Sequence, residues 1–290
     1  MSYLTVQHRT VYRYREPVSL GEHRMMFRPR ESHDLRLIRT SLVIEPKPTE
    51  IRWLHDPFDN SVAVASFDET TTTTALSFES TVTLEHFENT VPEYPLEEYA
   101  RAYPFRYSDE DFPNLERALA PYQPDEMVSE WALRFLAPAE TTATMAILRA
   151  MTKGIREEFK YARRVEKGVQ TPGQTLRLQS GSCRDFAVLM MEASRSLGIA
   201  TRFVSGYIFT PRASGLAGGG ATHAWLQAYL PGAGWVDFDP TNSIIGNRNL
   251  IRVAVAWAPE HVLPLWGTYS GPDGAFLDMA VTVAVTEVDG

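Results

Sequence analysis

Apolar and polar residues alternate from the start of the chain. In YLTVQHRTVYRYREPV, residues 3–18, Val6, His8 and Thr10 fall on one face and Gln7, Arg9 and Val11 on the other. The later segments LRLIRTSLVIEP, SVAVASF and TTTTTALSFESTVTLE are short, β-branched and set off by Pro, Asp and Asn turns. A period of two with such punctuation predicts strands, and several at this spacing predict an antiparallel β-sandwich over residues 1–88. The threonine run at 70–74 reads as a strand with one solvated face.

The pattern changes over residues 89–140. Pro92, Pro95, Pro104, Pro113, Pro121, Pro124 and Pro138 punctuate an aromatic-rich stretch, too apolar for a free linker. One helix is predicted there, capped by Asp125 and carrying Met127, Trp131 and Phe135 at helical spacing. From Thr141 a second helix is expected, with Met145, Leu148, Met151 or Thr152, Ile155 and Phe159 on one side. Residues 161–182 read as loop. A third helix carries Cys183, Ala187, Met190, Met191 and Leu197 in one stripe, broken only by Ser194, and Gly198 supplies its C-cap. Strands follow at 201–209, 223–230 and 235–239, with β-like segments at 251–257 and 276–288. The expected class is α+β, with a sandwich, a helical and proline-rich connector, and a helix-on-sheet core over 141–290. No internal repeat is evident.

Composition narrows the function. Hydrophobic residues make up 44% and charged residues 22% of the 290, as in ordinary globular proteins. A net charge of −8 argues against nucleic acid or an anionic membrane as the main partner. No apolar run approaches the roughly 20 residues that span a bilayer, and the amino terminus lacks a signal-peptide pattern. A single cysteine forms no internal disulfide, so the cytoplasm is the expected compartment. The seven histidines show no paired metal-ligand spacing, so neither metal nor cofactor is expected.

The one cysteine has two readings. A lone thiol is commonly a small core hydrophobe. Cys183, however, follows Ser180, Gly181 and Ser182 at the head of a helix, where unpaired amides stabilise a thiolate and can serve an oxyanion. A nucleophilic thiol needs a base and a group that orients the base. THAWLQAYLPGAGWVDFDPTN, residues 222–242, supplies both: His223 opens a strand, Pro231–Gly234 turns it, and WVDFDP returns. Asp239, just before Pro240, Asp237 on the same face, and Asn242 are the candidate orienters. Asp185 reads as a partner of the helix amides, and Arg184 as a solvated or salt-bridged neighbour. The glycine-rich loop 210–222 serves either as a plain connection or as a gate over the cleft.

GSCRDFAVLMMEASRSLGIATRFVSGYIF followed by THAWLQAYLPGAGWVDFDPTN resembles the transglutaminase-like superfamily, whose core is a papain-like Cys-His-Asp site. HRTVYRYREPV, FRPR and the turn Asp56–Asn60 resemble the β domain that precedes this core in bacterial members. The resemblance implies Cys183 as nucleophile, His223 as base and Asp239 as orienter. It also implies acyl transfer through a thioester on a peptide or protein substrate. A second oxyanion donor is not specified; Gln179, Tyr161 and Trp225 are the options. Two departures stand out: Asp59-Asn60 replaces the Gly-Asn often found in that turn, and residues 254–271 replace a Gly-Arg-Asp-Tyr segment. No acidic loop resembles the calcium sites of animal transglutaminases, so hydrolysis is expected before regulated cross-linking, with amine transfer or a binding scaffold as alternatives.

Overall fold

The computed structural model describes residues 2–88, 93–138, 141–164, 168–211 and 215–288. The first alternating segment becomes one long strand, β1 (Ser2–Met25), joined by β2 (Leu35–Glu45), β3 (Glu50–His55), β4 (Ser61–Ser66) and β5 (Thr72–His86). β1 runs on past Pro17 through a bulge: the β1–β5 register shifts between Arg13 and Val18. Proline lacks the N–H that a ladder needs, so the break falls there and the strand bends past it. Beyond the bend β1 takes β4 as a neighbour. The two layers expected of a sandwich are therefore arms of one curled antiparallel sheet, in the order β2-β5-β1-β4-β3. Tyr14, Val18, Leu20, Ile44, Ala63, Ala65, Leu76 and Phe78 fill the curl. Farther along the same face of β5, Val82 and Leu84 pack on the rest of the chain. Thr72 and Thr74 are exposed, which fits the solvated face read from the threonine run.

Five helices follow among the described residues: α1 (Phe112–Leu119), α2 (Glu126–Leu133), α3 (Thr144–Glu158), α4 (Pro172–Leu178) and α5 (Cys183–Ser196). Asp125 caps α2, accepting from the Met127 amide at 2.9 Å, but Met127 itself is exposed and Phe135 lies past the helix end. The stretch expected as loop at 161–182 contains α4, opened by the reciprocal Thr171–Gln174 capping box. It also contains a short parallel bridge, Lys160–Tyr161 with Ser180–Gly181. The cysteine helix α5 is buried on nearly every side, because α2, α4 and a second sheet surround it. Its buried polar groups are satisfied: Glu192 accepts from the Tyr122 and Gln123 amides, and Arg195 donates to the Thr201 and Trp257 carbonyls. Gly198, with φ of 73°, follows its C-cap, Leu197.

The second sheet contains β6 (Thr201–Ile208), β7 (His223–Leu230), β8 (Gly234–Asp239) and β9 (Leu250–Ala256). Its order is Ile244–Ile245, β8, β7, β6, β9. Ala224, Leu226, Ala228 and Leu230 of β7 join the same buried cluster as α5. Asn60 ties the first sheet to this one: its amide donates to the Val255 carbonyl and accepts from the Val255 N–H.

The last strands, β10 (Leu265–Ser270) and β11 (Phe276–Val288), go elsewhere than expected. They were assigned to the core, but both pair with β1, β11 from Tyr3↔Val288 to Tyr14↔Phe276 and β10 from Ser19↔Ser270 to Met25↔Leu265. The curled sheet offered β1 with one side open, and the carboxyl-terminal segment closes that edge. The divergent segment 254–271 thus runs from β9 into the first sheet. Among the described residues, no helix is long and apolar enough to cross a membrane.

Candidate active site

Cys183 is the first residue of α5, with Ser182 as an extended N-cap. A helix start leaves its first amides without intrahelical partners, and local groups hold this one rigidly. Asp185 accepts from the Ser182 N–H and hydroxyl at 2.8 Å each, from the Gln170 N–H at 2.6 Å, and from Arg164 at 2.8 Å. Asp185 thus serves the helix start, as its first-turn position suggested, and also anchors the preceding loop.

The β7–β8 hairpin supplies the other two groups. Leu230 pairs with Gly234 across Pro231–Ala233, and the register runs through Gln227↔Asp237 to Leu226↔Phe238. The turn is centred one position later than the sequence midpoint, so His223 and Asp239 are diagonal neighbours across the ladder. Diagonal pairs in a twisted sheet remain within side-chain reach. His223 Nε2 meets Asp239 Oδ2 at 2.8 Å, with both side chains fully buried. Asp239 also accepts from the Thr241 N–H at 2.9 Å and from the Asn242 amide at 2.8 Å. Asp237 repeats the same diagonal step one pair nearer the turn and accepts from the Trp225 indole at 2.6 Å. Trp225 in turn stacks on His223, with centroids 5.9 Å apart and planes at 27°. The two rival carboxylates are thereby separated: Asp239 meets the imidazole, Asp237 the indole, and Asn242 supports Asp239.

With Nε2 donating to Asp239, Nδ1 has no hydrogen-bond partner among the described residues that meets the geometric criteria. The imidazole and the thiol nonetheless act on each other, His223 lowering the thiol and Cys183 raising the imidazole. Burial pushes the Cys183 thiol up; His223, Arg184 and the Ala224 amide overcome it and hold the thiol below its ordinary value. Burial equally disfavours a charged His223 ring, but Asp239 and the thiol outweigh it and raise the imidazole well above its ordinary value. Both shifts favour a thiolate–imidazolium pair.

The site is covered. Cys183 is 7% exposed, His223 1% and Asp239 0%. Gly218, at φ of 95°, lies so close to the ring that a Cβ would stand 2.5 Å from Nδ1, which only glycine avoids. The Ala217 backbone is held by Asn242, through N–H to Oδ1 at 2.7 Å and Nδ2 to carbonyl at 3.1 Å, while the Gly220 carbonyl accepts from the Val283 N–H of β11. Of the loop read as a connection or gate, residues 212–214 lie outside the described residues.

A cavity of about 620 Å³ lies elsewhere, lined by Arg30, Asp34, Arg202, Trp235, Asp237 and Arg252 among others, and by none of Cys183, His223 or Asp239. Its charges are partly self-satisfied, since Arg30 pairs with Asp59 and Arg252 with Asp34. Among the described residues no three His, Cys, Asp or Glu side chains converge as a metal site.

Residues 4–85 match the family model of the bacterial transglutaminase-like N-terminal region, and residues 130–240 that of the transglutaminase-like superfamily. An uncharacterized protein of Mycobacterium tuberculosis is 27% identical over 98% of this chain and 93% of its own length. One from Mycobacterium leprae is 39% identical over 40% of this chain and 42% of its own. The crystal structure of a candidate cysteine protease from Cytophaga hutchinsonii aligns with a TM-score of 0.70 and 18% identity, covering 100% of this chain and 92% of that one.

Proposed function

We propose, on the premise that the chain belongs to the transglutaminase-like superfamily, that it is a cysteine-nucleophile acyl-transfer enzyme. In this reading it hydrolyses a peptide, isopeptide or side-chain amide bond through a thioester on Cys183. One observation carries the reading: His223 is committed through Nε2 to Asp239, and Nδ1 is left for the thiol at the head of α5.

The steps follow from that geometry. The Cys183 thiolate adds to the carbonyl carbon, and the oxyanion draws on the Cys183 amide at the helix N-terminus. His223 delivers its proton to the amine, the C–N bond breaks, and a thioester remains. Water then gives a proton back to the neutral imidazole and adds to the thioester, which releases the acid and restores the thiolate. Asp239 fixes the tautomer and stabilises the imidazolium throughout. Residues 215–222 give way as substrate enters, since thiol and ring are both buried. A cytoplasmic setting is proposed from the single cysteine alone.

Incubation with a glutamine-containing peptide, with and without a primary amine, tests the reading. Ammonia release without added amine, and a thioester trapped on Cys183 by mass spectrometry, are the expected results. A stable amide conjugate with the amine would reassign the protein as an amine transferase. No acyl group on Cys183 under either condition would leave a binding scaffold. Hydrolysis is preferred because it requires no second binding site for an amine.

A further inference from the structure

The cavity of about 620 Å³ has the volume of a small-molecule site, and the Cys-His-Asp groups do not line it. Its floor is a row of polar side chains across the second sheet. Arg202 of β6 pairs with Gln227 of β7, and Gln227 with Asp237 of β8. Alternation puts this row on the face turned away from α5, opposite to Ala224, Leu226 and Ala228. Phe58 and Tyr94, both half-buried, add apolar wall.

Within the row Arg202 is a charge without a counter-charge. Its Nε donates to Gln227 Oε1 at 2.8 Å, and its guanidinium lies over the Trp235 ring, 4.2 Å from the centroid. Among the described residues it makes no ion pair, and Nη1 and Nη2 have no hydrogen-bond partner. The other arginines on the lining are paired, Arg30 with Asp59 and Arg252 with Asp34. Burial first, then Arg252, pushes the Arg202 guanidinium down to about 9. A guanidinium keeps its proton at neutral pH, so the unfavourable charge calls for an anion. Gln227 points the same way. It is 1% exposed, its Oε1 is taken by Arg202, and its Nε2 completes no hydrogen bond with any described residue, Asp237 included. A buried donor in that state is costly unless an oxygen from outside the chain fills it. The acids on the lining oppose an anion weakly. Asp34 is spent on Arg252, and exposed Glu31 accepts from the Leu37 N–H. Asp237 accepts from the Trp225 indole, and burial raises it against the pull of Arg252, Trp225 and Gln227.

A guanidinium stacked on an aromatic face keeps its edge free, and its two parallel N–H groups match an oxyanion. We propose that this cavity binds a small organic anion, its carboxylate or phosphate held by Arg202 and the Gln227 amide and its body against Phe58 and Tyr94. The proposal is independent of the acyl-transfer reading, since none of Cys183, His223 or Asp239 lines the cavity.

Calorimetric titration of the whole protein tests it, with benzoate and phenyl phosphate as probes in a low-salt buffer free of other oxyanions. The two share an aromatic body, so the tighter one identifies the oxyanion the site prefers. Saturable heat is expected for at least one, with Kd of about 1 mM or tighter. Arg202→Met should weaken binding about 100-fold, since a bidentate charge-assisted contact is lost. Arg202→Lys keeps the charge but not the fork and should cost about tenfold. No saturable binding of either probe to the wild type would overturn the proposal and leave Arg202 a distant counter-charge to Asp237 across Gln227. Equally tight binding to a folded Arg202→Met variant would place the anion elsewhere and overturn it too. Should Arg202→Met fail to fold, Arg202→Lys decides: an affinity within about twofold of the wild type refutes the contact.

Discussion

Replacing Asp239 by asparagine removes one charge and almost no volume, so the hairpin should survive while the base loses its tautomer. In the wild type Asp239 can only accept, which fixes the proton on Nε2 and leaves Nδ1 free to take the thiol proton. An asparagine keeps an oxygen for the Thr241 N–H, which Oδ1 of Asp239 now accepts at 2.9 Å. Its NH2 then faces Nε2, the ring proton moves to Nδ1, and the base points a hydrogen at the thiol. The electrostatic loss adds to this. Charges about 4 Å apart at an effective dielectric of about 20 attract by about 4 kcal/mol, equivalent to about three powers of ten in rate. The pair is fully buried, so solvent screening takes little from that figure. The corresponding change in a Ser-His-Asp triad costs about four powers of ten. We expect acylation by p-nitrophenyl acetate to fall by about 10³ to 10⁴.

The pH profile of iodoacetamide alkylation tests the cause. The wild-type thiol should react well below the ordinary thiol range, because His223 and Arg184 outweigh burial. In Asp239→Asn the imidazolium is lost, burial prevails, and the inflection should move up toward or past the ordinary value. Asp237→Asn is the control on the same face. An asparagine carbonyl still accepts the Trp225 indole, and burial already raises Asp237 above the ordinary carboxylate value, so a neutral side chain suits the site. That variant should keep acylation within about tenfold. A crippled Asp237→Asn beside a mild Asp239→Asn, both with native circular dichroism, would refute the roles assigned across this hairpin.

Three further outcomes are expected. Cys183→Ser should keep the fold and lose acylation by orders of magnitude, since a hydroxyl is a far weaker nucleophile beside the same base; burst kinetics will tell. Burial lowers His8 to about 4, so the unfolded chain binds its proton first as pH falls; this stability is present above about pH 6.5 and lost progressively down to about pH 4, at about 3 kcal/mol for the shift of about 2.5 units. His8→Gln should therefore flatten the acid side of a Tm–pH curve, and an unchanged slope would contradict the assignment. Asn60→Ala removes both bonds to the Val255 backbone, at 2.8 and 2.9 Å, and strands that buried strand segment, so urea unfolding should report a loss of about 2–3 kcal/mol.

How far the sequence could be read depended on the range of each interaction. The cysteine helix was legible because its signals are local: small residues before Cys183, an apolar stripe, and Gly198 after it. The hairpin was legible from Pro231–Gly234, but the choice between Asp237 and Asp239 was not. Both lie on the histidine's side, and the diagonal offset depends on where the turn centres and on sheet twist, which alternation does not encode. Helix α4 was missed although Thr171-Pro172-Gly173-Gln174 carries a capping-box signature, because so short a helix shows no periodic apolar face. The bulge that carries β1 past Pro17 was not legible, because alternation holds no signal for a shift of register. The partners of β10 and β11 were beyond reach: Tyr3 and Val288 pair from opposite ends of the chain, with no local signal for either.

That long-range closure also bears on the site. The glycines before His223 suggested mobility from composition, yet Gly218 has a more specific reason: its positive φ and its approach to Nδ1 admit no side chain. The backbone around it is held at Ala217 by Asn242, which also touches Asp239, and at Gly220 by the Val283 N–H of β11. Each tie is a single residue's hydrogen bonding, worth about 1 kcal/mol per bond, whereas α5 and β7 beneath are set in the main core. Leu216 of the cover also packs on the cluster of Val204, Ile208, Trp225, Leu250 and Val255, so apolar contact adds to these bonds. Since β11 pairs along the first half of β1, the strand that touches the cover is fixed to the amino-terminal sheet rather than to the second one. The first sheet is thus more than a neighbour of the core: it supplies one of the contacts that set how firmly the nucleophile is covered.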